Sequence, residues 1–290
     1  MVINKNVSLK DYTSYKTGGN ALYFADCISS DDVYYALKFA CDNNLSYEVI
    51  GGGSNLLVSD DGYNGLIVCT KNLNRYIINT GKNILKCGAG IVLADLVLYA
   101  CNHSLSGMEA MAGIPGSTGG ACKMNAGAFN QEIKDTLLTV TFMNKDGSIT
   151  TLENQEVGFG YRKSEALKDK IVLSAEFLYK NDKTSEELLN IRKEILEKRK
   201  EKQPLHKPSC GSVFKRPEGN YAGTLIEKCG LKGYCIGGAV VSTKHANFIL
   251  NENNATSSDI YNLIQHVIKE VKSQTGITLE PEVRLIGFNN

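Results

Sequence analysis

The sequence carries almost no excess charge: 32 lysines and arginines face 31 aspartates and glutamates, a formal net charge of +1 over 290 residues. That balance lacks the basic footprint of a duplex nucleic-acid binder or of a protein held on an anionic bilayer. No stretch approaches the roughly 20 consecutive apolar residues that span a membrane, so insertion is not expected. The first nine residues lack the apolar core of a secretory signal, which points to the cytoplasm. Nor is there an internal repeat or a low-complexity tract. The four histidines are scattered, and the nine cysteines, at 27, 41, 69, 87, 101, 122, 210, 229 and 235, form no CxxC pair. An odd count, with several thiols in apolar stretches, argues for reduced cysteines and against a zinc site or a disulfide framework.

Hydrophobic residues make up 42% of the chain, enough to bury a sizeable core, and the length is near the point where one core divides. Two or three domains are expected. Apolar spacing predicts helices over 31–43, 91–101, 184–202 and 258–273. Thr184 and Glu187 form a capping-box signature for the third of these. The charged end of that helix, 194–202, reads equally as a domain connector or as a solvated face. Strands are predicted at 47–50, 65–69, 84–87, 137–143, 149–152 and 171–179, with Asn144-Lys145-Asp146-Gly147 as a hairpin turn. The tail 277–288 reads as strand, turn at Pro281, and strand. Short strands and separated helices without a regular βαβ series give an α+β fold class.

Two glycine-rich segments stand apart. Gly51-Gly52-Gly53-Ser54-Asn55 can form a nest of backbone N–H groups for a diphosphate. Residues 111–129 contain five glycines but only one charged side chain, Lys123. A linker needs more polar bulk than that. Such a backbone must bend sharply or pass close to something. Neither segment matches the GxGxxG dinucleotide fingerprint or a P-loop. Composition alone supports an anionic or large planar ligand lying along exposed backbone.

Taken in order, several motifs resemble the UDP-N-acetylenolpyruvoylglucosamine reductase family. They are Tyr15-Lys16-Thr17-Gly18-Gly19, Gly51 through Leu57, Gly113-Ile114-Pro115-Gly116-Ser117-Thr118-Gly119-Gly120-Ala121 and Met124-Asn125-Ala126-Gly127-Ala128. Phe159-Gly160-Tyr161-Arg162-Lys163-Ser164, Cys210-Gly211-Ser212-Val213-Phe214-Lys215 and Leu279-Glu280-Pro281-Glu282-Val283 follow. The set covers nearly the whole chain, and the length after Gly211 resembles the shorter class, which lacks an inserted tyrosine loop. The resemblance implies a vanillyl-alcohol-oxidase/PCMH-type two-part FAD-binding domain, residues 1–70 and 71–203. A smaller α+β substrate-binding domain, 204–290, would follow. It further implies non-covalent FAD, NADPH as hydride donor, and reduction of UDP-N-acetylglucosamine enolpyruvate to UDP-N-acetylmuramate for peptidoglycan precursors. FAD contacts are expected from Gly51, Gly52, Gly53, Ser54, Asn55, Leu56, Gly113, Ile114, Pro115, Gly116, Ser117, Gly119, Gly120, Ala121, Asn125, Ala126 and Gly127.

The same resemblance assigns catalysis to Arg162, Ser212 and Glu282. A guanidinium keeps its charge and offers a rigid fork to a carboxylate that gathers negative charge. Taken alone, an arginine is more often a surface ion-pairing residue. Ser212 matches the proton donor, a role that a weak acid fills only when held against a strongly basic carbon; a serine after glycine is otherwise a turn or a cap. Glu282 matches the catalytic glutamate, which polarises the intermediate, orients water or assists proton delivery; after Pro281 it reads equally as a turn carboxylate. Lys215 is the better motif match for a substrate contact, whereas Arg216 stands where asparagine is common. Two rival readings remain open at this point: an FAD-dependent alcohol oxidase of the same broad fold, and a non-catalytic nucleotide-binding protein.

Overall fold

A serine and an aspartate three residues apart start the first helix. The Ser29 hydroxyl accepts from the Asp32 amide at 3.2 Å, and the Asp32 carboxylate accepts from the Ser29 amide at 3.0 Å. The helix Ser30–Asp42 then buries Val33, Ala36, Leu37 and Ala40, one face of a 3.6-residue period. This is a computed structural model of the chain, and it describes residues 1–288. The chain divides into two compact units. The first comprises Met1–Asn4, Phe24–Gly52 and Leu66–Arg199; the second comprises Lys5–Tyr23, Gly53–Gly65 and the chain from Lys200 onward.

In the first unit, Tyr47, Glu48, Val49 and Ile50 pair in parallel with Leu66, Ile67, Val68 and Cys69. Its larger sheet has the order Ile149–Glu153, Leu137–Met143, Ile171–Leu178, Ile84–Gly88, Ile77–Gly81, antiparallel throughout. The central strand Ile171–Leu178 is buried from Ile171 to Ala175 without alternation, as a strand covered on both faces must be. Helix Thr118–Lys123 packs against it. The expected turn closes the neighbouring hairpin, with the Gly147 amide donating to the Asn144 carbonyl at 3.0 Å. Thr184 and Glu187 cap helix Ser185–Lys202 reciprocally, at 3.3 and 2.7 Å.

The second unit is built on the three-stranded antiparallel sheet Cys235–Ile236, Ala239–Val241, Ile249–Asn251. Helix Ser257–Thr275 lies on that sheet and buries Ile260, Leu263, Ile264, Val267 and Val271. These side chains share one core with Tyr15, Leu57, Val213, Phe214 and Ile226. Strand Leu56–Val58 runs parallel to Arg284–Ile286.

Sequence and structure part in several places, and strands Ile3–Ser8, Asn20–Asp26 and Ile77–Gly81 are among the elements not expected. No strand forms at 277–280; the tail pairs only through a single bridge between Phe214 and Pro281 and through strand Arg284–Ile286. The two bonds of that bridge come from the residues flanking Pro281, and the ladder ends at Val213, whose amide is spent on the Asn247 carbonyl. The glycine-rich stretch holds a short helix, Thr118–Lys123, despite poor propensity, because Ser117 caps it and its small residues allow close packing on the sheet. Helix Ala222–Lys228 and the three short strands of the second unit have no counterpart among the expectations. Among the described residues, no helix is long and apolar enough to cross a membrane.

Candidate active site

In the first unit the two glycine segments touch. A Cβ on Gly52 would lie 2.8 Å from the Gly116 Cα, and one on Gly51 would lie 2.5 Å from the Ser117 hydroxyl. Only bare backbone permits that approach. Gly52 is exposed, and the amides of Gly52, Gly116 and Ser117 have no partner among the described residues. Unspent donors on side-chain-free backbone, with no carboxylate among them, suit a diphosphate, so this part of the chain fits FAD. The next amides are already engaged. Thr118 donates to Ile91, Gly119 to Ala89, Ala121 to the Ser117 carbonyl, and Gly120 to the Ser117 hydroxyl. At Gly119 a Cβ would come within 2.9 Å of the Ala89 Cβ, so that glycine also permits close packing.

The segment is braced from below by a residue the sequence did not single out. A Cβ on Gly113 would meet Leu196 and Arg199, and the Arg199 Nε donates to the Ala112 carbonyl at 3.0 Å. Arg199 is buried, and that burial lowers its pKa, although a guanidinium still keeps its charge. Of the two readings of the charged helix end, the solvated one fails at this residue. Ile114 is half-buried and Pro115 exposed at the crest of the segment.

Arg162 occupies a two-residue turn. Phe159 pairs with Ser164 and Gly160 with Lys163, leaving Tyr161 and Arg162 at the tip. Its φ of +55° is in the left-handed region, which costs a non-glycine residue roughly 1–2 kcal/mol and persists only where the surroundings impose it. Contacts from residues 122–127 hold the turn in place. The Arg162 Nη2 donates to the Gly127 carbonyl at 3.1 Å, Asn125 Nδ2 donates to the Gly160 carbonyl at 3.1 Å, and the Ser164 hydroxyl donates to the Cys122 carbonyl at 2.6 Å. Tyr161 lies under the guanidinium, 5.1 Å from ring centroid to Cζ. Asn125 is fully buried, whereas Ala126 and Gly127 are half-buried.

In the second unit Ser212 and Glu282 are brought together by a short backbone ladder. The Glu282 amide donates to the Val213 carbonyl at 2.7 Å, and the Lys215 amide donates to Glu280 at 2.9 Å. The Ser212 side chain is exposed, and its hydroxyl has no partner among the described residues. Asn55 joins the same ladder: its Nδ2 donates to the Glu282 carbonyl at 3.0 Å, and its own carbonyl accepts from Arg284 at 3.0 Å. Gly53, Ser54 and Leu56 flank it. Gly53 has a φ of +68°, and a Cβ there would strike the Tyr12 carbonyl. Lys215 is ion-paired with Glu280, and Arg216 stacks on Tyr221 at 4.1 Å.

Asn247 is the second residue the sequence gave no sign of. Its backbone carbonyl accepts from Val213 at 2.8 Å, while its side-chain amide pairs with both the N–H and the C=O of Phe214, at 3.0 and 2.9 Å. A side chain thus takes the place of a neighbouring strand. Beneath it the Cys210 thiol contacts the Tyr15 hydroxyl at 3.2 Å. Burial, with the Glu282 charge adding, pushes that thiol up to about 12, so it serves packing rather than nucleophilic chemistry.

These features define an α+β flavin-domain protein with a separate C-terminal module. The FAD binding domain family matches residues 21–153, and the C-terminal domain of UDP-N-acetylenolpyruvoylglucosamine reductase matches 203–286. The reductase of that name from Synechocystis sp. is 41% identical over 289 residues, covering 99% of this chain and 91% of that protein. Its counterpart from Streptococcus thermophilus is 43% identical over 280 residues, covering 96% and 91%. The crystal structure of the Thermus caldophilus enzyme superposes with a TM-score of 0.84 at 34% identity, covering 98% of this chain and all of that one. The chain belongs to the UDP-N-acetylenolpyruvoylglucosamine reductase family.

Proposed function

We propose that this chain is an FAD-dependent oxidoreductase that reduces UDP-N-acetylglucosamine enolpyruvate to UDP-N-acetylmuramate, with NADPH as hydride donor. It works in the cytoplasm, in the synthesis of peptidoglycan precursors. The observation that carries this reading is the family match over nearly the full length, joined to a serine and a glutamate held on one ladder. The chemistry that FAD supplies when bound is two-electron hydride transfer, from NADPH to the methylene carbon of the enol ether. Gly52, Gly116 and Ser117 offer their amides to its diphosphate, with Gly51 keeping the adjoining backbone bare, and Gly53, Ser54, Asn55 and Leu56 remain further candidate contacts. Gly113, Ile114 and Pro115 form the neighbouring wall.

Arg162 holds the substrate carboxylate, where charge accumulates once the methylene carbon has been reduced. Ser212 gives its proton to the ether-bearing carbon. Its exposure, and its lack of a partner among the described residues, leave the hydroxyl available for that role. Glu282, pinned near it through its own amide, serves proton delivery, and Lys215 contacts a phosphate or the carboxylate after leaving Glu280.

The test is Ser212→Ala in stopped-flow absorbance. The variant should retain flavin and be reduced by NADPH at the normal rate. Its reoxidation by the enol ether should slow by about 10²–10⁴-fold, the usual worth of a positioned acid. Reoxidation at the wild-type rate would remove Ser212 as proton donor.

A further inference from the structure

We propose that Asn125 is the positioning residue for Arg162, setting the direction of its guanidinium through the base of the hairpin; this rests on the assignment of Arg162 above. Asn125 is 0% exposed, and every polar arm of its side chain is spent inside the first unit. Nδ2 donates to the Gly160 carbonyl at 3.1 Å and to Glu132 Oε2 at 3.0 Å, while Oδ1 accepts from the Lys134 amide at 3.1 Å. Glu132 is itself held by Lys134 Nζ at 2.8 Å.

The hairpin does not orient its tip by itself. Its two cross-strand pairs, Phe159 with Ser164 and Gly160 with Lys163, continue into two more backbone bonds, from the Glu165 amide to the Gly158 carbonyl at 3.2 Å and from the Ala166 amide to the Val157 carbonyl at 3.0 Å, and a lone two-stranded ribbon is marginal at best in water. Asn125 grips Gly160, two residues before Arg162, and Gly127, two residues after Asn125, receives the Arg162 Nη2. The two contacts close a ring from Asn125 through Gly160 and Arg162 to Gly127. Asn125 has a φ of +40°, a conformation that asparagine and glycine tolerate better than other residues. That choice of residue supplies the bend and the amide together. Aspartate of the same size would lack the Nδ2 donor and would set a second negative charge beside Glu132.

The chosen variant is Asn125→Gly, because glycine accepts the same φ and only the side-chain contacts are lost. In the flavin-loaded protein, trypsin cleavage after Arg162 should accelerate by about 10-fold as the hairpin opens locally, with overall secondary structure unchanged. Reoxidation by the enol ether should slow by about 100-fold, the effect of misplacing a reacting group by about 1 Å. Flavin content and reduction by NADPH should hold. In an Arg162→Ala background, the same change should slow reoxidation by less than about 2-fold, because residues acting through one another are not additive. If Asn125→Gly does not accumulate as a folded protein, Asn125→Asp is measured in the same way. Unchanged cleavage after Arg162, or a full additional loss in the double variant, would overturn the proposal. Should Arg162→Ala alone react at the wild-type rate, the catalytic assignment of Arg162 falls, and the cleavage rate still decides whether Asn125 holds the hairpin.

Discussion

Arg162 and the Ser212–Glu282 pair are both presented on very short pieces of chain, and the two units secure them differently. The Arg162 hairpin is anchored to residues 122–127 by side chains reaching backbone: Asn125 to Gly160, Ser164 to Cys122, and Arg162 itself to Gly127. Ser212 rides on a segment tied by backbone to backbone, Glu282 to Val213, Lys215 to Glu280 and Val213 to Asn247, with the Asn247 side chain completing the ladder. A buried asparagine appears in each, with different work to do. In the first unit it is a side-chain clamp beside the Ser164 and Arg162 contacts; in the second it is one rung of several. Losing a clamp redirects a guanidinium, whereas losing a rung weakens the fold and leaves the remaining rungs to hold Ser212.

That contrast can be broken most sharply at Arg162. Replacing it with lysine keeps the charge and loses the fork, and reoxidation by the enol ether should slow by about 10²–10³-fold. Wild-type oxidative kinetics would mean that forked geometry in the first unit is irrelevant. A smaller effect is expected from Asn247→Ala, which strands a buried N–H and C=O. Chemical denaturation should show a loss of about 3 kcal/mol, with reoxidation close to the wild-type rate. A rate loss matching that of Arg162→Lys would erase the distinction between clamp and rung.

Gly52→Ala comes next. Its methyl group would press on Gly116, costing about 1–3 kcal/mol as overpacking does, and the purified protein should carry less flavin per chain. Full flavin occupancy would show that the glycine contact is not part of the cofactor seat. The smallest effect is at Asp60, whose carboxylate accepts from the Ser257 and Ser258 amides at 2.8 Å each and so caps helix Ser257–Thr275 from outside. Burial works to raise its pKa, but the Ser258 hydroxyl and the two amides together hold it below the ordinary value. A lowered folded pKa means stability that is present above the ordinary carboxylate range and is lost as pH falls through the folded value. Asp60→Asn should cost about 1 kcal/mol at neutral pH, limited by solvent screening, and should flatten the acid limb of the melting profile. An unchanged acid limb would exclude Asp60 as its source.

Much of this was legible beforehand where the signal was local. The strand Leu137–Met143 and the helices Ser30–Asp42, Ser185–Lys202 and Ser257–Thr275 announce themselves through periodicity and caps within a few residues. Arg162, Ser212 and Glu282 stood out through their motifs, since residue type alone gave each a blander reading. Arg199 was hidden in a run of charges whose other members are mostly exposed, and only the fold shows it turned against Ala112. Asn247 has no motif, because its task exists only once Phe214 is beside it.

The order of the motifs along the chain carried the family, the flavin and the candidate chemical groups, because a backbone that must stay bare writes its requirement as glycine. Tertiary structure alone decided which amides remain unspent, which arginine is interior and which asparagine holds which strand. Those properties depend on partners far apart in sequence, such as Asn55 and Glu282, and no local pattern encodes a contact across 227 residues.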